Sequence, residues 1–140
     1  MRFDVPPARA FEVLSQPRSY AFWVTGVSEI EDHDLSWPAP GARLRHSEGV
    51  GPLRLRDTTR VLRSEPPLRL ELESRARPLL VARVTLSLQP EDGGTRVRMD
   101  EVPTGGLLEL PMRLPPFTQL TRVRNRESLR RLRRLAEAPR

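Results

Sequence analysis

Between residues 68 and 77 the chain alternates almost without exception, Leu68, Leu70, Leu72, Ser74 and Ala76 on one parity and Arg69, Glu71, Glu73, Arg75 and Arg77 on the other. Successive side chains of a strand point to opposite faces, so one face of this segment is buried and the other wet. A parallel strand covered on both faces would be apolar throughout; this pattern demands an antiparallel sheet covered on one side. The same period holds from Val27 to about Val102 and predicts six strands, at 27–34, 42–50, 53–64, 68–77, 79–88 and 95–102. They are separated by the loop SWPAPG, by Gly49, Gly51 and Pro52, by Pro66 and Pro67, by Pro78, and by the hairpin signal Asp92-Gly93-Gly94. A short extended segment at 2–5 brings the sheet to about seven strands.

Outside that span the spacing becomes helical. Pro6 and Pro7 suit a first helical turn, Ala10, Phe11, Val13 and Leu14 recur at helical intervals, and Pro17 forces an end near Ser15 or Gln16. Ser15 is expected to cap a second short helix that carries Tyr20, Trp23 and Val24 and stops at Gly26. A long helix is expected over 116–137, about 33 Å at 1.5 Å per residue, enough to cross the whole sheet. Pro111, Pro115 and Pro116 make its lead-in irregular. A chain of 140 residues supports one domain, 1–140, of the α+β class.

Charge and composition narrow the functions. All 24 basic residues are arginine against 18 acidic ones, a net charge of +6. Isoleucine, asparagine and tyrosine occur once each and proline fifteen times, so the arginines read as coding bias spread over a solvated surface, and no nucleic-acid partner is expected. With no cysteine there is no disulfide framework, thiolate metal site or cysteine nucleophile. Two distant histidines give no metal site, no glycine-rich loop fits a phosphate cradle, and no cofactor is expected. There is no apolar run long enough to span a bilayer and no secretory signal layout, which reads as a cytoplasmic protein.

Candidate site residues are those where polarity falls on a buried face. On the long helix Phe117, Thr121, Ser128, Leu132 and Leu135 share one stripe about 60° wide at 100° per residue, flanked by Arg124 and Asn125. Its ends are apolar and its middle polar, whereas a packed helix would bury methylenes there; the competing reading is that the hydroxyls bond back to the preceding turn. In the sheet the inward series from Ala42 and Leu44 reaches His46, Glu48 and Val50, that from Leu53 and Leu55 reaches Asp57 and Thr59, and Ser74 interrupts the buried parity of its own strand. Glu101 falls on the inward series of Thr95, Val97 and Met99. His46 and Asp57 are expected on adjacent strands within reach of one another. Trp23 reads as a core anchor and Trp37 as a loop lid, with an aromatic contact to a ligand as the sharper alternative.

The segments VPPARAFEVLSQPRSYAFWVTGVSEI at 5–30, WPAPGARLRH at 37–46, LRDTTRVLRSEPPLRLEL at 55–72 and RNRESLRRLRRL at 124–135 carry a resemblance over essentially the full chain. Their order is similar to that of the START and Bet v 1-like (SRPBCC) superfamily, in its bacterial polyketide cyclase/dehydrase and lipid-transport branch. The resemblance implies a helix-grip fold, a curved antiparallel sheet wrapped on a long C-terminal helix over a deep cavity for an apolar small molecule. The chain departs from the pattern in its short first strand, and it lacks the Rieske-type ligand set of ring-hydroxylating relatives.

Three functions follow as expectations. The first is binding, sequestration or transport of an apolar, polyketide- or lipid-like molecule. Trp23, His46, Glu48, Asp57, Thr59, Ser74, Phe117, Thr121, Arg124, Asn125 and Ser128 would form the site, and a homodimer is compatible with it. The second is a cyclase or dehydratase in which His46 removes an α proton, Asp57 or Glu48 orients it, and Arg124 or Asn125 stabilises the enolate oxygen. The third is an interaction module in which Arg130, Arg131, Arg133 and Arg134 point outward beside Leu132 and Leu135 toward an acidic partner or anionic membrane.

Overall fold

The computed structural model describes residues 1–50 and 52–139; the turn expected at Gly51 and the side chain of Val50 lie outside the described residues. Twelve elements follow in order. They are β1 (Arg2–Phe3), α1 (Pro7–Leu14), a 3₁₀ turn (Pro17–Ser19), α2 (Tyr20–Trp23), β2 (Val27–His33), β3 (Arg43–Val50), β4 (Leu53–Glu65), β5 (Arg69–Ala76), β6 (Leu80–Glu91), β7 (Gly94–Gly105), α3 (Glu109–Met112) and α4 (Phe117–Glu137). The strands form one antiparallel sheet of order β1-β7-β6-β5-β4-β3-β2, with α1, α2 and α4 on one side. This is the expected helix-grip architecture.

The alternation in β5 works as its sequence requires. Leu70, Leu72 and Ala76 are buried, while Glu71, Glu73 and Arg75 form ion pairs with neighbouring arginines and glutamates on the outer face. Strands β6 and β7 close through Asp92 and Gly93, both at positive φ, the combination a tight two-residue hairpin needs. Strand β7 runs on past the expected end at 102, pairing with β6 as far as Gly105.

Two local expectations are corrected. Ser15 does not cap the second helical segment: its Oγ donates to Phe11 O and finishes α1, and the following turn begins from Gln16 with Pro17 at its first position. Trp37 is not a lid. It is 6% exposed, its Nε1 donates to Leu14 O at 3.1 Å, and its ring meets Tyr20 edge-on at 5.3 Å. Tyr20 also donates to Leu14 O, so two amphipathic aromatics converge on the carbonyl that α1 leaves unpaired at its C-terminus.

Helix α4 buries Asn125, Ser128, Leu129, Leu132 and Ala136. That stripe is rotated from the one the sequence suggests, because Phe117 at the first turn is 41% exposed and Leu135 only half-buried. The second half of the helix packs against α1 and α2; the first half reaches beyond them alongside β7.

Candidate functional site

The concave face of the sheet, α2 and the middle of α4 enclose a chamber of about 70 Å³. Its walls are mostly apolar, from Ile30, Leu44, Leu72, Ala82 and Val84 in the sheet and Tyr20 and Trp23 on α2. It is narrower than the resemblance implies, with room for a few water-sized groups. A second and larger space of about 880 Å³, an open groove, lies between β7 and α4. Met99, Glu101 and Asn125 line both, so they form the partition between them.

Polar groups gather at one end of the chamber. From α4, Ser128 Oγ accepts the Thr25 N–H at 2.9 Å and donates to Thr25 Oγ1 at 3.0 Å, rather than bonding back to its own helix. From β3 and β4, His46 and Thr59 share a hydrogen bond between Nε2 and Oγ1 at 3.0 Å. Asn125 stands beside the Glu101 carboxyl in the same wall, and Arg124 reaches back to donate to Thr25 O. Arg124 and Glu48 converge above Gly26, where a Cβ would stand 3.6 Å from Arg124 Nη2 and 3.8 Å from Glu48 Oε1.

Burial sets the protonation of these groups. Desolvation pushes Glu48 above the ordinary glutamate range; Arg124 opposes this and the neighbouring Glu101 and Asp57 add to it. Glu101 is raised for the same reason against the pull of Arg124 and Asn125. His46 is lowered by burial, while Asp57, the Thr58 backbone and Glu31 pull the other way, so its imidazole is held toward the neutral form. Four buried side-chain polar atoms lack a hydrogen bond among the described residues, and three of them, Trp23 Nε1, His46 Nδ1 and Glu48 Oε2, belong to residues lining this chamber.

The candidate residues therefore divide. Trp23, His46, Glu48, Thr59, Ser74, Arg124, Asn125 and Ser128 come together around the chamber. Thr121 lines the outer groove, and Phe117 lines neither space. Asp57 does pair with His46 in the strand register, but its carboxylate is occupied elsewhere. It accepts Arg77 Nε at 2.9 Å, Arg77 Nη2 at 2.9 Å, the Arg77 N–H at 2.9 Å and the Thr58 N–H at 2.8 Å. It is therefore absent from the chamber wall, and the histidine's bonded partner is Thr59. Sequence reasoning missed Thr25: it sits in the turn after α2, where no periodicity speaks, and its partner Ser128 is 103 residues away. Glu101 was legible as inward-facing, and it lines the chamber beside Asn125. Among the described residues no group of three histidine, cysteine or acidic side chains could hold a metal ion, and no helix is long and apolar enough to cross a membrane.

Comparisons with solved structures show the same architecture elsewhere. Protein CV1439 from Chromobacterium violaceum superposes with a TM-score of 0.75 at 19% identity, covering 99% of this chain and 95% of that one. The structure of Ara h 8.0201 gives 0.70 at 12% identity, covering 97% and 93%. The di-domain ARO/CYC protein BexL from the BE-7585A biosynthetic pathway gives 0.69 at 17% identity, covering all of this chain and 49% of that one. Identities this low show the fold alone. No curated protein matches the chain in sequence. Residues 1–137 match the family described as polyketide cyclase / dehydrase and lipid transport, and with nearly the whole chain included the protein belongs to that family.

Proposed function

We propose that the chain binds a small, largely apolar molecule with one oxygen-bearing end, holding that end in the chamber and running its body past Met99, Glu101 and Asn125 into the groove beside β7. The observation that carries this reading is the set of three unpartnered polar atoms, Trp23 Nε1, His46 Nδ1 and Glu48 Oε2, all on residues that line one apolar-walled space. Each buried polar group left unsatisfied costs roughly 1–3 kcal/mol, and a guest offering a carbonyl or hydroxyl oxygen would recover part of that. Trp23 supplies a donor only, and Glu48 raised toward its protonated form supplies another. An acceptor oxygen fits this end better than an ammonium group does. The family and the fold shared with BexL support a hydrophobic guest of this type.

Native mass spectrometry of the protein purified from its own host tests the proposal. A bound small molecule released on denaturation is expected, and Ala82→Leu, which fills the chamber from β6, should expel it. An unliganded mass, together with an Ala82→Leu variant that is simply more stable, would refute the reading.

One observation favours a second reading, base catalysis: His46 is the chamber's imidazole, held toward neutrality, with one ring nitrogen free. As a general base acting on a carbon acid it would contribute about 10²–10⁴ in rate. His46→Ala separates the two readings, since a binder keeps its affinity within about tenfold and a catalyst loses turnover of a β-keto substrate by those factors. Asp57 has no place in this scheme as an orienting acid, its oxygens being taken by Arg77 and Thr58.

A further inference from the structure

The sheet end at which the β5–β6 turn, the start of β4 and the exit of β7 meet carries an unusual surface. Thr59 pairs with Ser74, Ala76 with Leu80 and Val81 with Gly105, which fixes these three features at one end. The chain leaving β7 is pinned there by two backbone bonds, Leu107 N–H to Pro78 O at 3.0 Å and Leu108 N–H to Leu79 O at 2.8 Å. From that anchor α3 and the first two turns of α4 project, and their apolar side chains stay in water: Leu107 and Leu110 are 73% exposed, and Leu114, Phe117, Leu120 and Val123 are exposed as well. Leu53, at the start of β4, adds to the same end. Half of the exposed large apolar residues of the described chain fall in these seventeen positions, 107–123, while the second half of α4 is amphipathic in the ordinary way.

The charges along this segment are predominantly positive. Residues 107–126 hold four arginines, Arg113, Arg122, Arg124 and Arg126, and a single acid, Glu109. Arg122 and Arg126 have no carboxylate partner among the described residues, in contrast to Arg130 and Arg131, which both engage Glu127. A second copy of the chain laid on this face would bring like charges together. Projecting leucines rimmed by unpaired arginines match a surface that is apolar within and anionic at its boundary, since the leucines can enter the acyl boundary while arginine stems lie along it with their guanidinium groups among the phosphates. We infer that α3 and the first turns of α4 dock on the surface of an anionic lipid bilayer. This is a peripheral contact outside the chamber; Arg113, Arg122 and Arg126 also line the groove, whose open end the contact places beside the membrane.

Co-sedimentation with vesicles tests it directly. The full chain should bind mixed phosphatidylcholine/phosphatidylglycerol vesicles, and bind pure phosphatidylcholine at least about tenfold more weakly. Leu110→Glu with Leu114→Glu should weaken binding to the anionic vesicles by at least about tenfold without moving the thermal midpoint, because both side chains are already in water. Arg122→Gln and Arg126→Gln, which alter no packed surface, should each weaken it about fivefold and flatten its salt dependence. Equal binding to both vesicle types, no binding to either, or indifference to all four substitutions would overturn the inference. So would a dimer in solution that Leu110→Glu and Leu114→Glu dissociate, which would assign this face to a second copy. Loss of a small molecule in Ala82→Leu with vesicle binding intact is the outcome expected when both proposals hold; a wild-type protein that carries no small molecule yet binds anionic vesicles fails the first alone, and one that carries a small molecule yet binds no vesicles fails the second alone.

Discussion

Replacing Asp57 with Asn isolates a clamp that fastens β4 to the end of β5. The Asp57 side chain is only 4% exposed and accepts four N–H groups, three of them from Arg77. Burial alone would push its carboxyl up; the Arg77 guanidinium and the two backbone donors outweigh that and hold it down at about 2, against an ordinary 3.8. A difference of this size corresponds to about 2 kcal/mol favouring the folded state at neutral pH, an upper figure because the Arg77 guanidinium stands 58% exposed and is screened by water. The sign is that of a depressed acid: the stabilisation is complete above about pH 4 and disappears as pH falls through 2. Urea unfolding of wild type and Asp57→Asn should therefore differ by about 1–2 kcal/mol at pH 7 and converge near pH 2, with equal m-values. At pH 7 the thermal midpoint should drop by roughly 4–8 °C. Ligand retention should be unchanged, since the residue does not line the chamber. A difference that persists undiminished at pH 2, or one below about 0.5 kcal/mol at pH 7, would refute the reasoning; a specific loss of ligand would return Asp57 to the binding site.

Three further outcomes follow from the same structure. Glu48 and Glu101 are both raised above their ordinary value of 4.5, so each binds protons in the folded state that the unfolded chain has released, and stability should fall as pH rises above that value; in Glu48→Gln with Glu101→Gln this slope, followed by chemical unfolding between mildly acidic and neutral pH, should be largely lost. Leu132 is fully buried where α4 meets the core, and Leu132→Ala should cost about 2–5 kcal/mol in the same assay. Gly106 has φ +94°, and a Cβ there would lie 2.5 Å from Leu79 O, so Gly106→Ala should destabilise the exit of β7 by more than about 1 kcal/mol and raise amide exchange at Leu107 and Leu108 before the rest of the sheet.

The sheet was legible because its period leaves no freedom: a residue that changes parity changes face, so β4, β5 and β6 fall within two or three residues of their expected bounds. Helix α4 was legible in length but not in rotation. An apolar stripe drawn through Phe117 and Leu135 assumes that every turn of the helix meets the sheet, and the first turns do not. Small residues such as Ala136, invisible to a hydrophobic pattern, are the ones that face inward where α1 lies close. Trp37 was misplaced for a related reason, because a loop with two prolines reads as exposed, and nothing local shows that Leu14 O waits across the core for an indole N–H. The short α3 carries no periodic signal at all. Its four residues are held by the two backbone bonds before them rather than by any buried face of their own.

What the alternation did reveal is where the interior departs from a hydrocarbon filling, and the structure shows how that departure is tolerated. Polar groups on an inward face are sustainable when they satisfy one another: Thr25 with Ser128 and Thr59 with His46 do so, each pair joining elements that the chain brings together only on folding. The pairs cover part of the polar surface and leave Trp23 Nε1, His46 Nδ1 and Glu48 Oε2 over. Packing alone would have replaced these three by apolar groups at a gain in stability, because their neighbours in the wall are leucine, isoleucine and valine. Their persistence together around one space is a cost carried by the empty state, so a guest that satisfies them must raise the folding free energy by RT ln(1 + [L]/Kd), and that linkage ties the proposed function to a stability measurement as firmly as to a binding one.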